Sequence, residues 1–361
     1  MISHLYVHVP FCPKICPYCS FYKTEAARGG FREFVDAVLA EAEKCPFPVQ
    51  PRTVFFGGGT PTALNNTQLE ALISGLQRIF DFSAVQEFTV EMNPATVSPG
   101  KASLLRDLGV NRASLGVQSW EAHVLETLGR AHTADMSRKS IEILRGAGFD
   151  NLNLDHMFGV PGQTTTDWQR TLARSLEFSP EHLSAYSLTY EEDTEFFEKL
   201  GRGEFSPDEG LDADLFESTI NDLEASGYDH YETSNYAKPG KACLHNLAYW
   251  QGADFLGLGP SAVSTMGHER TKNVADTKEY VRRCQAGVTA ADVCETLSEM
   301  DRHLERIALG LRTSSGIDAS DVPDSKTDRL VENGILEKHA GRLFLTRTSR
   351  ALADEVALEI A

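Results

Sequence analysis

The fold is decided by the stretch Cys12-Pro13-Lys14-Ile15-Cys16-Pro17-Tyr18-Cys19, which sets three cysteines at C-x3-C-x2-C spacing just after an apolar run. Three thiolates this close together can hold a four-iron cluster and leave one iron open to a small molecule. A structural zinc site normally has four ligands in two pairs, and no second CxxC occurs in the sequence. Packing of buried cysteines is the other alternative. We predict that Cys12, Cys16 and Cys19 ligate a [4Fe-4S] cluster.

The number of cysteines, the N-terminal residues and the net charge limit the location and the partners to be expected for this protein. The chain has 361 residues and seven cysteines, and its first residues lack the basic and apolar regions of a signal peptide. We therefore expect no disulfide framework and a cytoplasmic location. No apolar run is long enough to span a bilayer, which leaves only peripheral membrane contact open. The formal net charge of -18 disfavours a nucleic-acid partner.

Short apolar runs alternate with amphipathic stretches through the first half of the chain. The runs predict strands at residues 5–9, 53–56, 87–91, 113–117, 152–154 and 183–188. The stretches between them predict helices at residues 31–44, 67–80, 99–108, 137–145 and 166–176. Strand–helix units in series predict parallel strands, and the chemistry of such folds collects at the carboxyl ends of the strands. The cysteine loop, Gly57-Gly58-Gly59, Glu91 and Asp155 are all expected at strand ends.

The second half of the chain has a looser pattern. A helix is predicted at residues 214–226 and an edge strand at residues 228–231, and helices return from about residue 297. A hairpin is expected around the turn Ala340-Gly341, so helices and hairpin together indicate a small winged-helix-like unit. Residues 300–361 hold nine Lys and Arg against eleven Asp and Glu, which favours a structural or protein-binding role over DNA reading. Cys45, Cys284 and Cys294 are predicted to pack within helices.

Several further motifs occur in order along the chain, the first leading into the cysteine loop and the others following it. They are Tyr6-Val7-His8-Val9-Pro10-Phe11-Cys12, Gly57-Gly58-Gly59-Thr60-Pro61-Thr62, Glu91-Met92-Asn93-Pro94, Gly116-Val117-Gln118-Ser119, Leu128-Gly129-Arg130, Asn153-Leu154-Asp155 and Gly159-Val160-Pro161-Gly162. With these motifs the chain resembles the radical S-adenosylmethionine (SAM) superfamily and its HemN/HemW family over almost its whole length. The resemblance implies an α/β fold, a partial (β/α)6 radical SAM barrel with a small, mainly helical, winged-helix-like C-terminal domain. It also implies that SAM binds the open iron through its amino and carboxylate groups.

The same resemblance implies which side chains surround SAM. They are Tyr6, Gly58, Gly59, Thr60, Glu91, Gln118, Arg130 and Asp155, with Tyr18 packing against the cofactor. We expect the backbone N–H groups of Gly57-Gly58-Gly59 to approach SAM closely, although the triplet alone is more typical of a tight turn. A strand-end carboxylate at Glu91 suits a ribose hydroxyl or an amine, and a solvated charge is the alternative.

Two branches of this family carry different functions. One is an oxygen-independent coproporphyrinogen III oxidase, and the other is a haem chaperone that passes haem to acceptor haemoproteins. The oxidase pattern has a fourth cysteine where this chain has Phe21, and an N-terminal extension where this chain has five residues before Tyr6. A radical SAM enzyme that modifies RNA is a third option, but it predicts a basic module that this sequence lacks. These features favour the chaperone and leave enzymatic activity open.

The motif His245-Asn246-Leu247-Ala248-Tyr249-Trp250 resembles the HNxxYW motif of the haem chaperones. Haem iron takes a histidine ligand, and the macrocycle packs on aromatic faces. We therefore predict haem binding at His245, with Cys243 as another available axial ligand. An aromatic packing cluster is the alternative. We expect three units, namely the barrel at residues 1–200, an extension with this motif at 201–295 and the C-terminal domain at 296–361, in a monomer or a homodimer.

Overall fold

The structure, a computed structural model, describes residues 1–360 and is built on a nine-stranded β-sheet. Six parallel strands form its centre: β1 (Ile2–Val9), β2 (Val49–Gly58), β3 (Glu87–Met92), β4 (Arg112–Gln118), β5 (Leu152–Phe158) and β6 (His182–Ser187). In β1, Leu5, Val7 and Val9 are fully buried. Such continuous apolar burial is typical of parallel strands that are covered on both faces.

Helices connect these strands and cover the outer face of the sheet. They are α1 (Phe31–Glu43), α2 (Asn66–Ile79), α3 (Pro99–Asp107), α4 (Ala122–Thr127), α5 (Ala134–Gly146) and α6 (Thr165–Glu177). Two of them begin with a capping box, in which the side chains of Asn65 and Thr164 accept from the backbone of the first turn. Each box satisfies two otherwise unpaired N–H groups, so the sequence sets where these helices start.

The sheet stays open at both edges. After α7 (Glu195–Gly201) and α8 (Glu209–Ala225), the hairpin of β7 (Asp229–Glu232) and β8 (Asn235–Ala237) pairs antiparallel with β6. After α9 (Leu244–Trp250), β9 (Leu256–Leu258) pairs parallel with β1 on the other edge. The strand order is therefore β9-β1-β2-β3-β4-β5-β6-β8-β7, and β1 does not pair with β6. This is a partial barrel.

The chain beyond β9 builds two smaller layers. The first is an antiparallel sheet of β10 (Val263–Met266), β11 (Glu269–Asn273) and β12 (Ala291–Thr296), with α10 (Thr277–Gln285) between the last two strands. The second is the C-terminal unit: α11 (Glu299–Leu311), β13 (Ile317–Asp318), α12 (Asp324–Glu332), β14 (Leu336–His339), β15 (Arg342–Leu345) and α13 (Ala353–Ile360). Its buried side chains form a core separate from that of the barrel, as a winged-helix-like unit requires.

All the strands and helices predicted for the first half are confirmed within a few residues, and so are the edge strand and the C-terminal hairpin. Three expectations were wrong. Asp155 does not end its strand, because β5 continues to Phe158. Cys294 lies exposed in β12 rather than in a helix, and Cys45 lies just beyond the end of α1. Within residues 1–360, no helix has both the length and the apolar character to cross a membrane.

Candidate functional site

The three cysteines lie on the loop after β1, at the carboxyl end of the sheet. The loop turns at its end, where the N–H of Cys19 donates to the carbonyl of Cys16 over 3.2 Å. Burial raises the pKa of the Cys12 thiol to about 11 and also raises that of Cys19. A coordinated metal deprotonates such thiols, so this loop is suited to thiolates only when a metal centre is bound.

The spacing of the thiols is not that of a closed zinc site. Among residues 1–360, the group of three His, Cys, Asp or Glu ligand atoms that lie within 4.8 Å of one another is Glu121, His123 and Asp167, and it contains no cysteine. The three sulfurs are therefore not all as close as the roughly 3.8 Å that follows from tetrahedral Zn–S bonds of about 2.3 Å. Ligation of a four-iron cluster by Cys12, Cys16 and Cys19 stays a prediction.

Arg130 connects the cysteine loop to the sheet. Its Nη1 donates to Sγ of Cys16 over 3.5 Å, and its Nη2 donates to the carbonyl of Gly116 on β4 over 3.0 Å. The phenol of Tyr18 also hydrogen-bonds to this guanidinium. The remaining Nε is buried and has no partner among residues 1–360. A buried arginine beside a thiol stabilises negative charge there, and the unpaired Nε–H leaves one donor free for a bound group.

Gln118 lies at the end of β4 with φ of 64°, a left-handed conformation that is uncommon for residues other than glycine. Strained residues of this kind concentrate at functional sites. A Cβ added at Gly116 would lie 2.9 Å from Nε2 of Gln118 and 3.3 Å from Nη2 of Arg130. Gly116 therefore lets the Gln118 and Arg130 side chains meet over β4, which places two predicted SAM residues together.

The glycine triplet at the end of β2 does something different from what we expected. The N–H of Gly58 donates to Glu91 Oε2 over 3.1 Å, and the N–H of Gly59 donates to the carbonyl of Val9 over 2.8 Å. A Cβ at Gly58, which has φ of 102°, would overlap the ring of His8. At least two of the three N–H groups are thus used within the protein. The triplet permits close packing of β2 against the cysteine loop, where Thr60 Oγ1 lies 3.9 Å from Cys12 Sγ.

Two carboxyl groups face each other inside the barrel. Burial, together with the nearby charge of Asp155, raises the pKa of Glu91 to about 8, although the hydrogen bond from Gly58 and the charge of Arg112 oppose the shift. Burial also raises the pKa of Asp155, against hydrogen bonds from Ser184, Ser114 and Asn153. Glu91 is therefore largely protonated at neutral pH and can donate as well as accept a hydrogen bond.

One cavity of about 690 Å³ opens at the carboxyl end of β1 and β2. Its lining includes four predicted site residues, namely Tyr6, Gly58, Glu91 and His245. Its size falls within the usual range of ligand pockets. Besides Tyr6 and His245, the aromatic rings in the lining are those of His8, Phe21, Tyr22, Phe55, Tyr249 and Phe255. The barrel mouth and the His245 motif therefore share one cavity, which the sequence did not indicate.

His245 lies on α9 at the wall of this cavity and is 1% exposed. Its ring stacks on Phe55 with centroids 5.2 Å apart and meets Tyr249 edge-on at 4.7 Å. Nδ1 hydrogen-bonds to Thr53 Oγ1 over 2.7 Å, and Nε2 is buried without a partner among residues 1–360. Burial lowers the pKa of His245 to about 3, so the ring is neutral. A neutral imidazole whose Nδ1 is held by a neighbour is the usual form of a metal-ligating histidine.

Helix α9 is positioned by a carboxylate from the barrel. Glu87, at the start of β3, accepts from the N–H of Leu244 over 2.9 Å and from the N–H of His245 over 3.0 Å. The first N–H groups of a helix have no partners within the helix, and a negative charge there is favourable. Cys243 Sγ lies 3.4 Å from the same carboxylate and is fully buried away from the cavity. The structure therefore removes Cys243 as an axial ligand.

The other end of α9 is held by Glu232 of the edge hairpin. Trp250 Nε1 donates to Glu232 Oε2 over 2.5 Å, and the backbone of Glu232 bridges to Thr313 of the C-terminal unit. Trp250 itself does not line the cavity, whereas Tyr249 does. In the motif, His245 and Tyr249 therefore shape the cavity wall, and Trp250 fixes the helix to β7.

Three residues that position the site were missed from the sequence. Glu87, Thr53 and Arg112 are buried polar residues on the central strands, at 4%, 2% and 2% exposure. Arg112 lies close enough to Glu87 and Asp155 to interact electrostatically with both carboxylates. The available signal was a charged residue at the start of an apolar strand, because a buried charge needs a partner. The partners themselves are distant in sequence.

Residues 6–174 match the radical SAM superfamily. The chain is similar to the haem chaperone HemW of Bacillus subtilis, at 34% identity over 368 aligned residues that cover 97% of each protein. It is also similar to HemW of Escherichia coli, at 37% identity over 263 residues that cover 72% of this chain and 68% of the relative. Among solved structures, the coproporphyrinogen III oxidase HemN of Escherichia coli has the same fold, with a TM-score of 0.86 and 24% identity over 99% of this chain and 90% of that one.

Proposed function

Because the chain belongs to the radical SAM superfamily and, within it, to the HemW family of haem chaperones, we propose that it binds haem and delivers it to acceptor haemoproteins. The haem site is the cavity between the barrel mouth and α9. The observation that carries this proposal is His245, a neutral cavity-wall imidazole whose Nε2 is buried without a partner among residues 1–360. An unpaired nitrogen in an aromatic cavity suits an iron porphyrin, which needs an axial ligand and flat apolar walls.

His245 is only 1% exposed, so ligation requires its ring to rotate or a covering ring to move aside. The barrel strands hold the Nδ1 side of the ring through Thr53 Oγ1 at 2.7 Å, which leaves Nε2 as the nitrogen for iron. Rotation of a side chain is fast compared with haem transfer between proteins. A ligand that must be uncovered is also one that can be covered again, which suits a protein that gives its haem away.

The cysteine loop holds the [4Fe-4S] cluster through Cys12, Cys16 and Cys19, and SAM lies beside it. The cluster, when bound, supplies one electron for cleavage of the carbon–sulfur bond of SAM. The chain's own contribution is electrostatic and steric. Arg130 donates to Cys16 Sγ over 3.5 Å and keeps its Nε–H unpaired, which stabilises negative charge at the loop. Gly58, Thr60, Glu91, Gln118 and Asp155 belong to the predicted SAM surroundings, as do Tyr6, Gly59 and Tyr18.

A second function, oxygen-independent oxidation of coproporphyrinogen III, is favoured by one observation. Tyr6, Gly58 and Glu91 line the same cavity as His245, so a tetrapyrrole bound there would lie next to the predicted SAM residues. Phe21 argues against this function, because the cavity rim carries an apolar ring where the oxidase pattern has a cysteine. An anaerobic assay with coproporphyrinogen III, SAM and a reductant separates the two. Product formation would replace the chaperone proposal, and its absence together with haem binding supports the chaperone.

Haem titration of the purified chain tests the main proposal. We expect a shifted Soret band and binding of one haem, with affinity lowered by at least about tenfold in His245→Ala because the axial ligand is lost. His230→Ala is the matched control, since His230 is also buried with its pKa lowered to about 4 but lies outside the cavity. Equal titrations of the wild type and His245→Ala would remove His245 from the site. No Soret shift in any variant would reject haem binding.

Delivery is tested by mixing the haem-loaded chain with an apo-haemoprotein and following the acceptor's spectrum. Transfer faster than release of haem to a passive scavenger supports a chaperone, and transfer at the release rate contradicts it.

We also propose a cytoplasmic location and a division into units at residues 1–200, 201–295 and 296–361, which agrees with the separate core of the C-terminal unit.

A further inference from the structure

Part of the cavity lining comes from the chain beyond β9 and is charged. Two guanidinium groups line it, Arg270 from β11 and Arg302 from α11, together with the carboxylate of Glu305 one turn along α11. All three side chains are partly exposed, at 30%, 18% and 30%. Neither the cysteine loop nor the His245 motif includes them, and the predicted site contained no cation on this side of the cavity.

A single carboxylate serves both arginines. Glu305 accepts two hydrogen bonds from Arg270, over 2.5 Å and 2.9 Å, in a bidentate pair. Arg302 Nη1 lies 3.8 Å from the same carboxylate, and its Nη2 donates to the carbonyl of Gly252 over 3.0 Å. Asp254 lies 3.9 Å from Arg302 and does not line the cavity. Arg302 is therefore the less committed of the two cations, and it is also the more buried.

The arginines are unusual for so acidic a chain. The formal net charge of the protein is -18, yet two guanidinium groups line this cavity. Glu305 lines the cavity beside them, and Asp254 lies 3.9 Å from Arg302 outside the lining. Glu91, another lining residue, is largely protonated at neutral pH because its pKa is raised to about 8, mainly by burial. Two guanidinium groups at the cavity surface can therefore receive an anionic ligand in an otherwise acidic protein.

Resting on the haem-binding function proposed above, we infer that Arg302 and Arg270 bind the two propionate carboxylates of haem. Haem has an apolar macrocycle and carries both carboxylates on one edge. Aromatic side chains and two guanidinium groups line the same cavity, so the cavity offers both an apolar surface for the macrocycle and cations for the carboxylates. Guanidinium groups bind carboxylates through two parallel hydrogen bonds, which fixes orientation as well as affinity.

When no haem is bound, Glu305 accepts hydrogen bonds from Arg270 and lies 3.8 Å from Arg302. A propionate arriving at Arg302 meets a guanidinium whose two carboxylate neighbours, Glu305 and Asp254, lie 3.8 Å and 3.9 Å away without a hydrogen bond. A propionate at Arg270 must displace Glu305 from a bidentate pair. Arg302 is thus the stronger contributor to haem affinity, and Glu305 is a competitor for the second propionate. The same carboxylate can reclaim Arg270 when haem leaves, so the wall is never left with two unpaired cations.

The test compares haem with its dimethyl ester, in which both propionates are esterified and uncharged. We expect the wild type to bind haem about tenfold or more tightly than the ester, because charge-assisted hydrogen bonds are lost in the ester. Arg302→Gln and, to a smaller extent, Arg270→Gln should weaken haem binding and leave ester binding unchanged. Glu305→Gln should strengthen haem binding. Arg306→Gln, an exposed arginine on the same helix that does not line the cavity, is the matched control and should bind like the wild type.

Ester binding shows in every variant that the cavity is intact. Equal affinity of the wild type for haem and for the ester would overturn the arginine assignment while leaving haem binding in place. An unchanged haem affinity in Arg302→Gln would overturn it as well. If neither haem nor the ester bound to the wild type, the proposed function itself would fail, and that result is distinct from the other two.

Discussion

The cysteine loop and the segment that carries the His245 motif are held in different ways. The loop is a short local motif whose thiols make few contacts, with side chains such as that of Lys14 exposed to solvent. Residues 244–285, which we call the return segment, run from α9 to α10 and are held by two carboxylates of the barrel, Glu87 and Glu41. The thiols of the loop are therefore left for a cluster, whereas the backbone of the return segment is bound to carboxylates of the protein itself.

The largest expected effect is complete loss of the cluster while haem binding is retained. Cys12→Ala removes one of three cluster ligands, so anaerobic reconstitution should give no absorbance near 400 nm and no bound iron above background. Haem affinity should stay close to that of the wild type, since the return segment does not rely on the loop. Cys294→Ala, at an exposed cysteine outside both regions, is the control. Loss of haem binding along with the cluster would show that the regions are not independent.

Glu87→Gln should detach the start of the return segment. The amide keeps one oxygen but places an NH₂ group against backbone N–H donors, and we expect a loss of about 3 kcal/mol in apparent stability. Urea unfolding measures this loss, with Glu70→Gln on the exposed face of α2 as the control. Haem affinity should fall, because His245 follows Leu244 on the same helix turn. An unchanged unfolding midpoint would mean that α9 is held by its aromatic contacts alone.

Glu41 forms the second contact between the barrel and the return segment, and its contribution to the free energy of unfolding depends on pH. Tyr280 and Gly259 donate to its Oε2 over 2.5 Å and 2.9 Å, and Asn273 donates to its Oε1 over 2.6 Å. Burial still raises its pKa from 4.5 to about 7. The folded state therefore binds this proton more tightly than the unfolded state, and the contribution to stability is lost as pH rises from 4.5 through about 7.

Unfolding of the wild type and of Glu41→Gln should therefore differ in slope over this pH range. The wild type should lose about 3 kcal/mol relative to the variant between the two pKa values, because unfolding releases one proton over this range. Above the folded pKa the two curves should run parallel. Parallel curves over the whole range would show that Glu41 stays ionised and that the return segment is anchored by a charged carboxylate.

The smallest expected effect concerns Thr53 on β2, whose side chain contacts His245 in the return segment. Thr53 Oγ1 bridges Nδ1 of His4 at 2.9 Å and Nδ1 of His245 at 2.7 Å. Thr53→Val keeps the shape and removes the bridge, so the tautomer of His245 is no longer fixed. Haem affinity should fall by about tenfold, as for other groups that orient metal ligands, with the cluster unchanged. Equal affinity would mean that stacking on Phe55 orients the ring by itself.

Much of the barrel could be predicted because it follows from local signals. Strand–helix alternation, helix caps such as Asn65 and Thr164, and the cysteine spacing are all features of short stretches. The predicted SAM residues were identified by resemblance, and the structure places Tyr6, Gly58 and Glu91 at one cavity. The prediction that the glycine N–H groups approach SAM was wrong for Gly58 and Gly59. These two groups donate to Glu91 and Val9, which come from other strands.

Spacing along the chain is enough to specify the parallel barrel, the three cysteines and the motif on α9. Three features follow only from the three-dimensional packing: β9 pairs with β1, Cys243 contacts Glu87, and Arg270 and Arg302 line the same cavity as His245. These outcomes depend on pairing buried charges and unpaired N–H groups with partners far away in the chain. Such pairing is required by the cost of desolvation, but the sequence does not reveal which partner meets it.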